Sequence, residues 1–265
     1  MNISDYFHWD TAAELISVSG FSIGWYGVFF AAGFYLGFHI MIWVFNREKK
    51  STETLDHLFV YMVLGAVIGA RLGHCFFYEP EFYLSNPLKI FKIWEGGLAS
   101  HGGAFGMLLA MYLYAKNTSG IHFYWLLDRM ALPIALGSFF IRIGNFFNSE
   151  IIGLPTTIPW AVVFTRVDNL PRHPSQLYEA LVYIILFLLL FILYKKYGKQ
   201  LKNGFMMGLL MLVIFSSRFL LEFVKTPQEA FSPLLDINMG QWLSLPFVII
   251  GLVLMFYTKP SANKK

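Results

Sequence analysis

Arg142, Asn145, Asn148 and Glu150 stand within nine residues of one another, where an apolar run long enough to cross a bilayer gives way to an irregular segment closed by Gly153. Charged and amide groups at the edge of hydrocarbon are costly to hold and are kept where they have a task. Arginine presents a rigid fork of donors that engages two phosphate oxygens together, which the point charge of lysine does not match. Such a set suits chemistry on an anionic lipid headgroup.

Other polar residues fall at a comparable depth. Arg71 lies sixteen residues into the apolar run that starts at 55, or about 24 Å along a helix, and Arg218 lies fourteen into the run from 204, or about 21 Å. Tyr26, His101, Gln176, Glu179 and Gln241 occupy the early residues of runs that enter from the opposite side. Glu222 follows Arg218 by four residues, the spacing that puts both on one helical face and lets the acid hold the guanidinium. Gly102, Gly103, Gly144 and Gly153 offer close approach of backbone or substrate. Taken singly, each has an ordinary alternative: Arg71 snorkels to headgroups, Tyr26 belongs to an aromatic belt, and His101 packs at a helix start among small neighbours. The convergence of all of them is what points to a site. Asp128 and Arg129, near the other edge, read as an interfacial ion pair.

The elements that hold these residues follow from composition. Of 265 residues, 57% are hydrophobic and 14% charged, far from the balance of a soluble domain. A span needs about 20 mostly apolar residues, and 21–45, 55–78, 99–116, 123–142, 176–194, 204–224 and 240–257 qualify. The expected fold is an all-α polytopic membrane protein: seven transmembrane helices in one domain over 1–265. Within it, 1–20 forms an interfacial segment, read as an amphipathic helix, and 143–175 a small periplasmic cap with room for a strand pair. The first run has no basic leader and exceeds the length of a signal-peptide core, so it counts as structure. Eleven Lys and Arg residues follow the odd-numbered spans, including Lys199, Lys259, Lys264 and Lys265, against five on the other side. The positive-inside rule then places the N-terminus outside and the C-terminus inside. The single cysteine, Cys75, excludes an internal disulfide framework and cysteine ligation of zinc. No metal-ligand spacing and no glycine-rich nucleotide loop occurs, so neither metal nor cofactor is expected, and no nucleic-acid partner.

The run Arg142-Ile143-Gly144-Asn145-Phe146-Phe147-Asn148-Ser149-Glu150, closed by Gly153, resembles the signature of the bacterial prolipoprotein diacylglyceryl transferases. The resemblance extends through Trp25-Tyr26-Gly27, Gly69-Ala70-Arg71-Leu72-Gly73, Gly96-Gly97-Leu98-Ala99-Ser100-His101-Gly102-Gly103, Arg172-His173-Pro174-Ser175-Gln176-Leu177-Tyr178-Glu179, Arg218-Phe219-Leu220-Leu221-Glu222 and Gly240-Gln241-Trp242-Leu243-Ser244. Ile141 departs from it, since the family usually has glycine there. The resemblance implies transfer of a diacylglyceryl group from phosphatidylglycerol to the lipobox cysteine of a preprolipoprotein signal-peptide segment, forming a thioether and releasing glycerol phosphate. It also implies residence among the lipids of the bacterial inner membrane with the active face toward the periplasm. On that reading Arg142 and Arg218 bind the phosphate, and His101 takes the thiol proton. Tyr26, Asn145, Glu150 and Gln241 hold the headgroup or the arginines; Arg71, Glu222, Gly102, Gly103 and Gly153 complete the binding set. A flippase or transporter of an anionic lipid is the rival reading, although paired halves with interrupted helices are not evident. A non-catalytic membrane scaffold is a second, and it leaves the intramembrane arginines unexplained.

Overall fold

The computed structural model describes residues 3–18, 21–198, 200–226 and 238–257. Met1, Asn2, Ser19 and Gly20 of the N-terminal segment, and Lys199, Lys259, Lys264 and Lys265 of the charge count, lie outside these. The elements are β1 (Phe7–Trp9), β2 (Glu14–Val18), β3 (Phe21–Gly24), α1 (Trp25–Arg47), α2 (Leu55–Phe77), α3 (Pro80–Ser85), α4 (Ser100–Asn117), α5 (Phe123–Phe147), β4 (Val162–Phe164), β5 (Pro171–Arg172), α6 (Ser175–Tyr197), α7 (Phe205–Leu221) and α8 (Met239–Tyr257). Helix dominates, and α1, α2, α5, α6, α7 and α8 are long and apolar enough to cross a membrane. The remaining expected span, α4, has eighteen residues; His101, Gly102 and Gly103 at its start and Lys116 and Asn117 at its end keep it out of that set.

One expectation is corrected: among the described residues the N-terminal segment is strand and turn, not an amphipathic helix. The all-α membrane architecture stands, and the strand pair for which 143–175 had room is β4 with β5. Residues Phe7–Trp9 pair in parallel with Val162–Phe164, which pair antiparallel with Pro171–Arg172, giving a sheet of order β1-β4-β5. β2 and β3 form an antiparallel pair with Ile16 opposite Ile23. Short segments rich in aromatic and β-branched residues take the conformation their partners impose, so long-range pairing overrides local pattern here. Alternation along β4 splits its side chains between two faces. Val163 packs with Tyr6 and Ala161 on one face; Val162 and Phe164 pack with Phe146 on the other, against Trp9, Phe147, Ile152 and Leu177. The sheet thus sits on the last turn of α5.

The chain divides into two compact units, Met41–Leu127 and the remainder. In the first, α2 and α4 approach so closely that side chains are excluded. A Cβ at Gly69 would stand 2.8 Å from the Cα of Gly106, and one at Gly73 would stand 2.8 Å from the Cα of Gly102. A Cβ at Gly103 would touch Ala66 O and Ala70 Cβ, each at 3.4 Å. Small residues at four-residue spacing allow this contact in lipid, where dispersion rather than hydrophobicity drives helix association. Gly102 therefore serves helix packing, while Gly103, where a Cβ would make only ordinary contact, borders the same seam. Cys75, on α2, is fully buried.

In the second unit, the Asp128 carboxylate near the start of α5 accepts the N–H groups of Met206 (2.7 Å) and Met207 (3.1 Å). It supplies partners for N–H groups that the first turn of α7 leaves open. Arg129 pairs with Asp128 at 3.2 Å, donates to the Gly198 carbonyl and lies over the Tyr194 ring. The ion pair read from sequence is present and doubles as a helix cap.

Candidate active site

The signature segment leaves α5 in a sharp turn. The Asn148 N–H reaches Gly144 O at 3.0 Å and the Glu150 N–H reaches Asn145 O at 2.9 Å, while Ser149 and Ile151 both take φ of 56°. A β-branched residue at positive φ is an outlier, and such backbone costs about 1–3 kcal/mol per residue unless its surroundings fix it. Here they do. Ser175 Oγ donates to Ile151 O (2.6 Å), Gln176 Nε2 to Glu150 O (2.6 Å), and both Arg172 Nη1 and Thr226 Oγ1 to Gly153 O (3.1 and 3.0 Å). Gly153 is wedged between two segments: a Cβ would lie 2.5 Å from His173 O and 2.8 Å from Val224 O. The Leu154 N–H donates to Val224 O and the Thr226 N–H to Ile152 O, so the chain after α7 is stitched antiparallel to the signature loop.

Charges gather against this scaffold. Arg142 Nη1 donates to Asn145 Oδ1 at 3.1 Å, Asn145 Nδ2 to Glu150 Oε2 at 3.1 Å, and Asn148 Nδ2 to Glu150 Oε1 at 3.0 Å. Glu150 thus orients the guanidinium through the Asn145 amide. On its other side, Arg142 Nε lies 2.8 Å from Glu179 Oε2, off the hydrogen-bond axis, so the contact is one of charge. Glu179 is fully buried, and its other oxygen accepts Lys225 Nζ at 2.8 Å. Lys225 Nζ lies 3.7 Å from Glu222 Oε2. The result is an alternating row: Arg142, Glu179, Lys225, Glu222.

Around the row stand two tyrosines. Tyr26, at the start of α1, packs against Gly144, where a Cβ would lie 3.0 Å from its ring, and it feels the charges of Glu150 and Arg142. Tyr183, one turn beyond Glu179 on α6, lies in the electrostatic field of Glu179, Arg142 and Arg218 together. Arg218 is half-buried and makes no hydrogen bond or ion pair among the described residues. Glu222 does not hold it: α7 ends at Leu221, a 3₁₀ turn follows, and the carboxylate swings to Lys225. Glu222 also lies against Gly240, where a Cβ would meet Oε1 at 2.6 Å. Gln241 exchanges hydrogen bonds with Asn238 at the start of α8 and donates Nε2 to Phe219 O.

In the Met41–Leu127 unit, Arg71 is buried with its five N–H donors directed at backbone carbonyls. Nε donates to Ile90 O, Nη1 to Gly96 and Gly97 O, and Nη2 to Lys89 and Lys92 O; the guanidinium also lies over the Tyr83 ring. Gly97, at φ +72°, lets the loop close on Arg71 and His74. Arg71 is placed as the anchor of the 86–97 loop, not as an open fork for a ligand. His101 is exposed in the first turn of α4.

The chain matches, over residues 13–257, the family described as Prolipoprotein diacylglyceryl transferase. Among its curated relatives is a phosphatidylglycerol–prolipoprotein diacylglyceryl transferase of Chloroherpeton thalassium, 49% identical over 99% of this chain and 98% of that one. Proteins of the same description from Tolumonas auensis (49% identical, 93% of this chain and 95% of that one) and Bacteroides fragilis (42%, 94% of each) are also similar. The chain belongs to the prolipoprotein diacylglyceryl transferase family. It is a multi-pass membrane transferase.

In this transferase the structure gives partners to Gln176 and Glu179, which the sequence set at the depth of the site, and adds Tyr183 and Lys225, which it did not. Gln176, Glu179 and Tyr183 fall at helical spacing on α6 and are buried, forming a polar stripe that meets the signature loop, Arg142 and the field of Arg218. Their three- and four-residue spacing within an apolar run was the available signal. In the charge count Lys225 is one of the five cations on the side opposite the eleven.

The cap over the transferase signature is fastened by one strong pair. Arg172 donates Nε to both Asp168 oxygens (3.1 and 3.0 Å), Nη2 to Oδ2 and Nη1 to Gly153 O. The hydrogen-bonded Arg172 guanidinium holds the Asp168 carboxyl below its ordinary value. A depressed carboxylate contributes stability that is full above the unfolded value of about 4 and is lost as pH falls through the lower folded value. Protection factors of the amides at 164–172, taken relative to the intrinsic exchange rate at each pH, should therefore stay high from neutral pH down to about pH 4 and fall below it, and Asp168→Asn should show the lowered factors already at neutral pH. Burial lowers the His173 imidazole value, so it is neutral near pH 7.

Proposed function

We propose that this chain transfers the diacylglyceryl group of phosphatidylglycerol to the lipobox cysteine of a preprolipoprotein. The substrate sulfur attacks the glycerol carbon that bears the phosphate; the carbon–sulfur bond forms, the carbon–oxygen bond breaks, and the electron pair leaves with glycerol phosphate. The single observation that carries this is Arg142, set by Asn145 on one side and Glu179 on the other, acting on Tyr183 together with Arg218, which makes no hydrogen bond or ion pair among the described residues. Two guanidinium groups so placed suit a phosphate that gains charge as the bond breaks. Tyr26 and Gln241 flank the set, and Gly153 fixes the loop.

The thiol proton is assigned to His101, exposed on α4 and of a type poised near neutral pH. Arg71 acts through the loop that it anchors. Seven spans, counting α4, with the N-terminus outside and the C-terminus inside, put the signature loop and its cap on the periplasmic side of the inner membrane. The charge asymmetry supports that orientation.

Purified protein in detergent, given labelled phosphatidylglycerol and a lipobox peptide, should form the thioether without a second compartment. A flippase or a scaffold would form none. In the same assay His101→Asn should slow turnover by about 10²-fold and move the pH optimum toward alkali; full activity with an unchanged profile removes His101 from the base role.

A further inference from the structure

We propose that Lys225 is a positioning residue of this transferase: its ammonium is the counter-charge that keeps Glu179 from neutralising Arg142, and so it sets how strongly the site holds an anionic headgroup. The inference rests on the phosphate-binding reading above and adds a residue to it.

Lys225 is only 6% exposed. Lysine is almost never buried to that degree without a partner, and a buried ion carries a desolvation cost of several kcal/mol. Its position is fixed by backbone, since the bridge to Gly153 and the flanking bonds of Val224 and Thr226 bind this segment to the signature loop. Without it, the residues gathered around Tyr183 and the signature loop count two cations, Arg142 and Arg218, against three carboxylates, Glu150, Glu179 and Glu222. That set carries one net negative charge and would repel a phosphate. Lys225 brings the cluster to neutrality before any ligand arrives.

The geometry makes the same division. Of the two oxygens of Glu179, the one with an aligned hydrogen bond faces Lys225 at 2.8 Å, while the contact with Arg142 Nε is off-axis. Glu179 thus orients Arg142 while its directed bond goes to Lys225. If the ammonium is removed, Arg142 becomes the sole cation paired with this fully buried carboxylate among the described residues.

The test is binding of short-chain phosphatidylglycerol to the full-length protein in detergent, with phosphatidylethanolamine as control and a thermal melt on every variant. Lys225→Met should weaken phosphatidylglycerol binding by about tenfold or more, as expected of a unit charge a few ångströms away at an effective dielectric of about 20, and leave phosphatidylethanolamine unaffected. In the turnover assay the loss should appear in KM rather than kcat. Lys225→Arg should recover most of the affinity. The double variant Glu179→Gln/Lys225→Met should also recover it, because both charges leave together. Should Lys225→Met fail to fold, the arginine and double variants decide, since neither strands a buried carboxylate. Phosphatidylglycerol binding by Lys225→Met within about twofold of the unaltered protein, or a double variant no better than Lys225→Met, overturns the proposal. Binding that depends on Lys225 in a protein that makes no thioether would sink the reaction and keep this assignment; thioether formation indifferent to Lys225 would do the reverse.

Discussion

Arg142→Ala should lose at least about 10²–10³ of its thioether-forming rate, the scale seen when a donor to developing charge is removed. The protein should still insert in the membrane. Two consequences compound. The phosphate loses a guanidinium, and among the described residues the buried Glu179 keeps only Lys225 as its counter-ion. Arg142→Lys restores the charge but not the fork: an ammonium cannot serve Asn145 Oδ1 and Glu179 Oε2 from two nitrogens of one rigid plane. It should therefore remain well below the unaltered enzyme, and turnover of either variant near the original rate would dismiss Arg142 from the phosphate site. Initial rates on labelled phosphatidylglycerol, with insertion checked separately, make the measurement.

The largest loss of stability is expected from Gly106→Leu. A Cβ there would stand 2.9 Å from the Cα of Gly69 and closer still to the Gly65 carbonyl oxygen, both backbone atoms that cannot step aside. Over-packing commonly costs about 1–3 kcal/mol, and a whole isobutyl group driven into a helix contact belongs at or above that range. The readout is already in the chain. Cys75 is its one cysteine and is fully buried on α2, so a thiol-reactive dye labels it only when that helix loosens. Gly106→Leu should label at a temperature well below the unaltered protein, and an unchanged labelling curve would mean that α2 and α4 are not held by this seam. Gly120→Leu is the control, because a Cβ at Gly120 meets nothing within 4 Å; its φ of +76° makes a small shift of its own expected.

Helical runs were legible because apolar length is a strong signal: 55–78 became Leu55–Phe77, and 176–194 became Ser175–Tyr197. The Arg142, Asn145, Glu150 chain was legible too, since its members lie three and five residues apart. The partnership of Glu179 with Lys225 was not, because 46 residues separate them and the contact depends on how the segment after α7 is stitched to the signature loop. Glu222 misled for a local reason. The spacing of four implies a shared face only while the helix lasts, and α7 stops one residue before it. Arg71 had the depth of a ligand-binding cation, but its donors are spent on carbonyls of a loop that folds back over it; the paired Gly96-Gly97 was the trace of that closure in the sequence. The N-terminal strand takes its conformation from residues 162–164, a pairing that no local pattern encodes.

The concealment of Cys75 has a chemical corollary. Thiol–disulfide exchange requires a sulfur that the attacking thiolate can reach, and this chain presents none on its surface. In the proposed reaction the substrate cysteine, ionised for alkylation, is itself a competent disulfide former. While Cys75 stays buried, that thiolate meets no second sulfur of the enzyme, so a mixed disulfide between the two is not expected even under oxidising conditions.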